Sequence, residues 1–268
     1  MNPIFLKYKA LGYAPSFEEE REKIYEYVYL TNKLEGNKLT LAQTTSLLDK
    51  NSITGENISL HDILEQKGMY KAVIRMLNAA VRKEPLSVEL MKELNWLALG
   101  SLWRDDSSYL SAKNAGQKEG EFKSVDNMIR VTVPNGGNQN IEPLSNYNNV
   151  RGNMDSLVKT IIDSKKDCIT KADFLAQEIW LHQPFIDGNK RTGRLLINFM
   201  TMKEGYPFFV FDDRAVNFNN LLAKQYMEKK PGLVKSYIQY RLSEEMKNRI
   251  EQVQQAKENK GKGYRYIL

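Results

Sequence analysis

Between two strongly apolar stretches lies a segment dense in residues that do chemistry: His182-Gln183-Pro184-Phe185-Ile186-Asp187-Gly188-Asn189-Lys190-Arg191-Thr192-Gly193-Arg194. Asp187 offers a hard carboxylate, suited to one contact on a Mg²⁺ that takes its other ligands from water and phosphate. Gly188 lets the backbone come close to a ligand. A helix restarting near Arg191 would point the N–H groups of Asn189 to Arg191 outward, where the helix dipole favours phosphate. Arg191 and Arg194 stand at i,i+3 on the first turn, so both guanidinium forks reach one polyphosphate. Each residue alone suits an ordinary solvated helix N-terminus; their density between two core helices does not. No G-x-x-x-x-G-K-[ST] occurs, so this is not a Walker A loop. The chain has two histidines, His61 and His182, and any step that needs an imidazole must use one of them. His61, near the start of a helix, suits a cap or surface role.

The elements that must position this segment read as helices. Phe17 to Leu34 carries Ile24, Tyr27, Val28, Thr31 and Leu34 on one face, and Gly36 ends it. Thr40 and Gln43 form a capping box for a short second helix. Ser59 to Lys83 is a long helix closed by Pro85, and Ser87 opens the next, to Gly100. Trp103 to Val125 has little periodicity and reads as loop. Met128 to Val133 alternates apolar and polar, Pro134 to Asn138 is turn chemistry, and Gln139 to Glu142 returns as a short strand. Val150 to Asp163 is helical. Thr170 to Asp173 caps a further helix that stops near His182, because the residue before Pro184 is pushed out of helical geometry. The helix restarting near Arg191 ends at Gly205, and two more span about Ala215 to Glu228 and Pro231 to Gln255.

A second segment is unusual. In Thr31-Asn32-Lys33-Leu34-Glu35-Gly36-Asn37, Glu35 sits at a helix C-terminus, where the dipole disfavours a carboxylate by roughly 0.3–1 kcal/mol. A cationic partner would reverse that penalty.

Composition excludes several classes. Net charge is +6, with both signs interspersed along the chain, so no nucleic-acid stripe is expected. The exception is the basic tail Lys257 to Arg265, which reads as frayed chain, with a weak contact to an acidic partner as the minor alternative. The single cysteine, Cys168, rules out an internal disulfide and fits a reducing, cytoplasmic setting. Neither a signal peptide nor a membrane helix is expected.

Pro184 to Arg194 resembles the Fic (Fido) family motif H-P-F-x-[DE]-G-N-x-R-x-x-R. The resemblance implies an all-α Fic fold with one small β-hairpin flap, ATP and Mg²⁺ as ligands, and AMP transfer to a Ser, Thr or Tyr hydroxyl of a protein. It places Asp187 on the metal and Phe185, Gly188, Asn189, Lys190, Arg191, Gly193 and Arg194 at the ATP, with Phe185 buried beneath the loop. The hairpin Met128 to Glu142 resembles the flap along which a protein substrate lies; self-modification and homo-oligomer formation stay open. Asn217-Phe218-Asn219 would edge the adenine pocket.

The segment Thr31 to Asn37, with Glu35, Gly36 and Asn37 at its end, resembles the family's inhibitory motif [ST]-x-x-x-E-[GN]. The resemblance implies that Glu35 pairs with Arg194 and blocks the γ-phosphate position. It also implies a division into 1–84 with the inhibitory motif, a Fic core at 85–248, and the end of the last helix with the basic tail at 249–268. Two departures open alternatives. The family's catalytic His position holds Gln183, with His182 one residue early as the adjacent candidate base; that admits a regulatory module that binds nucleotide without transferring it. Lys190 stands where many members have Gly; the Doc-like branch, which transfers phosphate instead, carries Asn-Lys-Arg as this chain does.

Overall fold

The computed structural model describes residues 3–12, 15–56, 58–132, 137–211 and 218–263. Its described elements are helical apart from one hairpin, as the sequence predicts. Four helices form the N-terminal part: α1 (Pro3–Ala10), α2 (Phe17–Lys33), α3 (Leu41–Lys50) and α4 (Leu60–Val81). Side chains fix where three of them start. Ser16 with Glu19 and Thr40 with Gln43 complete capping boxes at α2 and α3, and the Ser59 hydroxyl caps α4. Helix α1 carries too few turns for its periodicity to stand out; its Phe5 and Tyr8 are buried, and Phe5 stacks on Tyr206 at 4.0 Å.

Helix α5 (Val88–Asp105) outruns the expected end at Gly100, and is followed by a 3₁₀ turn (Ser107–Tyr109) and the short α6 (Leu110–Asn114). The expected loop from Trp103 is therefore partly helical. What orders it is tertiary: Tyr109 and Phe122 are buried, and Phe122 packs on Phe185 with ring centroids 5.2 Å apart. Strands β1 (Ile129–Thr132) and β2 (Asn138–Ile141) pair antiparallel, with Ile129 opposite Ile141 and Val131 opposite Gln139. Their turn, with Pro134 to Gly136, lies outside the described residues.

Helices α7 (Val150–Asp163), α8 (Cys168–His182) and α9 (Asn189–Lys203) follow, then α10 (Phe218–Met227) and α11 (Leu233–Gly263). Helix α8 starts earlier than Thr170 suggests. Asp167 is its cap, accepting the Thr170 N–H at 2.9 Å, and the Thr170 hydroxyl serves that same carboxylate. Helix α9 starts at Asn189, two residues before Arg191, because Gly188 supplies the turn. Helix α11 runs on past Gln255 into the expected tail; Arg265 lies outside the described residues, as does Asn217.

Helix α9 is the centre of the molecule: nearly all its residues are buried, against α8 on one side and α4 and α5 on the other, with α2 packed on α4. The α4–α5 crossing is close enough that a Cβ on Gly68 would stand 2.2 Å from the Ala98 carbonyl oxygen. This stacking brings the N-terminal helices to the start of α9. No helix among the described residues is long and apolar enough to cross a membrane.

Candidate functional site

The elbow between α8 and α9 is built by its own residues. Gln183 ends α8 in the left-handed conformation, φ 45°, ψ 60°, with its N–H on the Ile179 carbonyl. Asn189 then ties the loop to itself. Its Oδ1 accepts the Phe185 N–H at 2.9 Å, and its Nδ2 donates to the Phe185 carbonyl and to Gln183 Oε1, both at 2.8 Å. Phe185 is buried beneath the loop. Gly188 is also left-handed, φ 76°, and a Cβ there would meet Leu99 Cδ1 at 2.6 Å and Asn95 Nδ2 at 2.8 Å. Only glycine combines that conformation with that clearance. Asn95 braces the turn, donating to the Asp187 carbonyl at 3.0 Å and the Thr192 hydroxyl at 3.1 Å.

Lys123 fastens the outer side of the elbow. Its backbone N–H bonds the Pro184 carbonyl at 2.8 Å, and its buried ammonium donates to the carbonyls of Ser145 and His182. Burial pulls that ammonium down to about 8, against the nearby Asp126, which favours the charge.

A cavity of about 420 Å³ opens over this elbow, a volume within the range of small-ligand sites. Glu35, Gln183, Asp187, Gly188, Asn189 and Lys190 line it, with Trp180 on one wall, Met128 to Val131 of the hairpin on another, and Asn219, Asn220 and Ala223 of α10 completing it. No side chain caps α9, so its first-turn N–H groups are left for solvent or an anion.

Asp187 is the acid of the loop. Its Oδ2 accepts the Tyr109 hydroxyl at 2.7 Å and Arg191 Nη2 at 3.0 Å, and its Oδ1 accepts the Gly188 N–H. Partial burial would raise its pKa; Arg191 and these donors outweigh that and hold it below the usual carboxylate range. Burial and the adjacent Asp187 push the Tyr109 phenol well up, so it stays a donor. Among the described residues no group of three His, Cys, Asp or Glu side chains converges on a metal position. A cation here would have Asp187 as its one carboxylate and complete its shell from phosphate and water, a donor set that suits Mg²⁺.

Behind the cavity lie two buried arginines. Arg191 reaches Glu65 with Nη1 and Asp187 with Nη2, and its buried Nε has no hydrogen-bond partner among the described residues. Burial opposes its charge, but the two carboxylates raise its pKa further above neutrality. Arg194, fully buried, donates from Nε to the Thr31 hydroxyl at 2.6 Å. Its Nη2 bonds the Thr31 carbonyl and Glu35 Oε1, both at 2.9 Å, and its Nη1 bonds Asn219 Oδ1 at 2.8 Å. Glu35 Oε2 takes Lys190 Nζ at 2.8 Å. Burial would raise the Glu35 pKa; Arg194, Lys190 and Arg191 reverse this and bring it to about 2. The penalty that the sequence implies at the end of α2 is thus cancelled by cations from α9.

The remaining candidates separate. His182 turns away from the cavity: Nδ1 meets the Ser145 hydroxyl at 2.5 Å and Nε2 faces Glu178 at 3.3 Å. Gln183, not His182, faces the cavity, its Nε2 on the Trp180 carbonyl at 2.6 Å. Gly193 packs against Ala176 of α8 and does not line the cavity. Gly36 follows α2, and the Asn37 side chain is buried against α4. His61 lies at the start of α4, its Nδ1 3.3 Å from Asp106. Sequence reasoning missed Glu65, Asn95 and Tyr109. Glu65 and Asn95 carried a signal, as polar side chains on buried helix faces; Tyr109 sits in the aperiodic stretch and carried none.

A helical protein with an arginine-backed cavity at the uncapped start of its central helix defines the class. Residues 85–201 match the model of the Fic/DOC family, and the chain carries a Fic/DOC family domain. The protein adenylyltransferase fic-1 of Caenorhabditis elegans is 30% identical over 192 residues, covering 70% of this chain and 33% of that protein. The protein adenylyltransferase Fic of Drosophila ananassae is 27% identical over 189 residues, covering 70% and 34%. The chain thus spans about a third of the length of the curated relatives it matches. A Fic domain containing signaling protein from Bacteroides thetaiotaomicron superposes with a TM-score of 0.75 at 26% identity, over 92% of this chain and 94% of that one. The Fic-1 structure from Caenorhabditis elegans, at 21% identity and a TM-score of 0.64, shares the fold.

Proposed function

We propose that this chain binds ATP with Mg²⁺ in the α8–α9 cavity and transfers AMP to a protein hydroxyl, under restraint by Glu35. The observation that carries the reading is the Glu35 carboxylate set between Lys190 and Arg194, beside Asp187 and the uncapped start of α9. An acid so placed occupies ground that a phosphate would take, since both seek the same cations. The relatives named as protein adenylyltransferases support the same chemistry.

In this reading Asp187 holds the cation, which neutralises phosphate charge when bound. Lys190 and the N–H groups of Asn189 to Arg191 cradle the polyphosphate. Arg194 meets its end once Glu35 withdraws. The outer edge of β1 aligns a segment of the target protein by strand addition. The target hydroxyl oxygen bonds to the α-phosphorus, the bond to the β-phosphate bridging oxygen breaks, and pyrophosphate leaves. The hydroxyl proton needs an acceptor, and Gln183 cannot take it, because an amide oxygen accepts hydrogen bonds but not a full proton. The proton therefore passes to solvent water, and transfer runs slowly, on positioning and charge.

The cavity-facing Gln183, with His182 turned away, also favours a second reading: a regulated nucleotide-binding module without transfer. Incubation with ATP and Mg²⁺ followed by intact-mass measurement separates the readings. An AMP adduct supports transfer, a bare phosphate would indicate Doc-like chemistry, and no adduct despite calorimetric ATP binding would favour the module. Absence of Mg²⁺-dependent ATP binding, in wild type and Glu35→Gly alike, would refute both.

A further inference from the structure

Glu65, on the second turn of α4, is buried and faces the two segments that matter most. Its Oε1 takes Nη1 of Arg191. Its Oε2 accepts the Asn37 Nδ2 at 2.9 Å. Asn37 stands two residues beyond Glu35, in the connector between α2 and α3, and its side chain is committed at both ends. Nδ2 also donates to the Asp62 carbonyl at 3.0 Å, while Oδ1 accepts from Gln66 Nε2 at 3.0 Å and the Leu39 N–H at 3.1 Å. These side chains are buried, so each partner restricts the next.

We infer that Glu65 is a positioning residue that couples the Arg191 guanidinium to the segment carrying Glu35, so that this segment grips both arginines of the loop. It holds Arg194 directly, through Glu35 and Thr31. It holds Arg191 indirectly, through Asn37 and Glu65. The inference rests on the proposal that Glu35 restrains a nucleotide site, and adds a second, separate tie to that restraint.

The physical basis is the rotamer of Glu65. A carboxylate held at both oxygens has one orientation; held at one, it turns about its last torsion, which is broad. Withdrawing the Thr31–Asn37 segment removes the Asn37 donor and leaves Glu65 held at Oε1 only, by Arg191, with His61 Nε2 3.8 Å from that oxygen. Arg191 then loses a fixed partner just as Arg194 loses Glu35. Each arginine is then less constrained, Arg191 keeping Asp187 and Arg194 keeping Asn219, and a polyphosphate can reorganise both. The buried Arg191 Nε, without a partner among the described residues, reports this directly, because its exchange with solvent follows the packing around it and not the breaking of a bond it makes.

The test uses the whole chain without nucleotide and follows the arginine Nε–H signals by ¹⁵N NMR. Asn37→Ala is expected to shift the Arg191 Nε–H resonance and to speed its solvent exchange at least roughly tenfold, although Asn37 does not touch Arg191. Glu35→Gly is expected to move the Arg194 signal and leave the solvent exchange rate of the Arg191 Nε–H unchanged, because the Asn37–Glu65 tie survives. Asn37→Asp, which keeps the shape but sets a carboxylate against Glu65, gives the same result as Asn37→Ala and serves if that variant does not fold. An Arg191 signal unchanged in both Asn37 variants, while amide exchange shows residues 35–39 loosened, overturns the coupling. Because no nucleotide is present, failure here is distinct from failure of ATP to bind in calorimetry, which would refute the nucleotide reading alone.

Discussion

The elbow Gln183–Arg194 and the segment Thr31–Asn37 hold their shapes by opposite means. The elbow is largely self-templated: Asn189 reaches back to Gln183 and Phe185, Gly188 bonds the carboxylate of the residue before it, and Thr192 closes the first turn onto Gly188. The segment has few such local ties for its side chains. Thr31 and Glu35 reach Arg194, about 160 residues along the chain, and Asn37 reaches α4. A site held locally survives the loss of a distant contact, whereas a segment held at a distance can be withdrawn without melting the site. That division is what the proposed restraint by Glu35 needs, and three experiments break or sharpen it.

The largest effect is expected at Arg191, where the elbow depends on a charge. Arg191→Ala leaves buried Glu65 and neighbouring Asp187 without their counter-ion, and breaking such a pair costs about 3–5 kcal/mol. Denaturant titration should show a loss of that order, and calorimetry should show ATP affinity reduced at least tenfold, as charge-assisted bonds of about 1.5–3 kcal/mol imply. Equal ATP affinity in wild type and variant would mean that Arg191 is structural only.

The next tests the chemistry at the elbow. Gln183 already has positive φ, a region where histidine is well tolerated, and it faces the cavity. Gln183→His combined with Glu35→Gly should raise AMP transfer at least tenfold over Glu35→Gly alone, within the roughly 10²- to 10⁴-fold that a positioned base contributes. His182→Ala should leave the rate unchanged, since His182 is engaged with Ser145 and Glu178. A large loss in His182→Ala, without a gain in Gln183→His, would move the base to the neighbouring residue. Transfer rates at saturating ATP and Mg²⁺ decide this.

The smallest effect concerns the segment alone. The Glu35 pKa falls from 4.5 to about 2 on folding, so its ion pairs contribute stability that is fully present above about pH 4.5 and is lost as pH falls toward 2. Wild type should therefore be more stable than Glu35→Gln near neutrality, with the gap closing across that window. Thermal melts of both proteins from pH 7 to the acid limit of folding measure it. A gap that stays constant with pH would show that Glu35 is not held as an anion by Lys190 and Arg194.

Much of this protein follows from the order of its residues. Apolar periodicity marked most of the helices, Thr40 and Gln43 marked a helix start, and the alternation from Met128 marked the first strand, because these signals act over a few residues. The elbow was legible for the same reason: Gly188, Asn189 and Asp187 make most of their conformation-setting contacts within one turn. Helix ends proved less legible, as Asp167 and α5 show, since capping and tertiary packing compete there. What only the tertiary structure decided is which distant groups meet. Stacking α2 on α4 and α4 on α9 sets Thr31 and Glu35 at Arg194, brings Glu65 and Tyr109 to the loop, and turns His182 toward Ser145 while Gln183 faces the cavity. No local pattern encodes those meetings, because each depends on the rotation of a whole helix about its axis, which is fixed by packing over its full length.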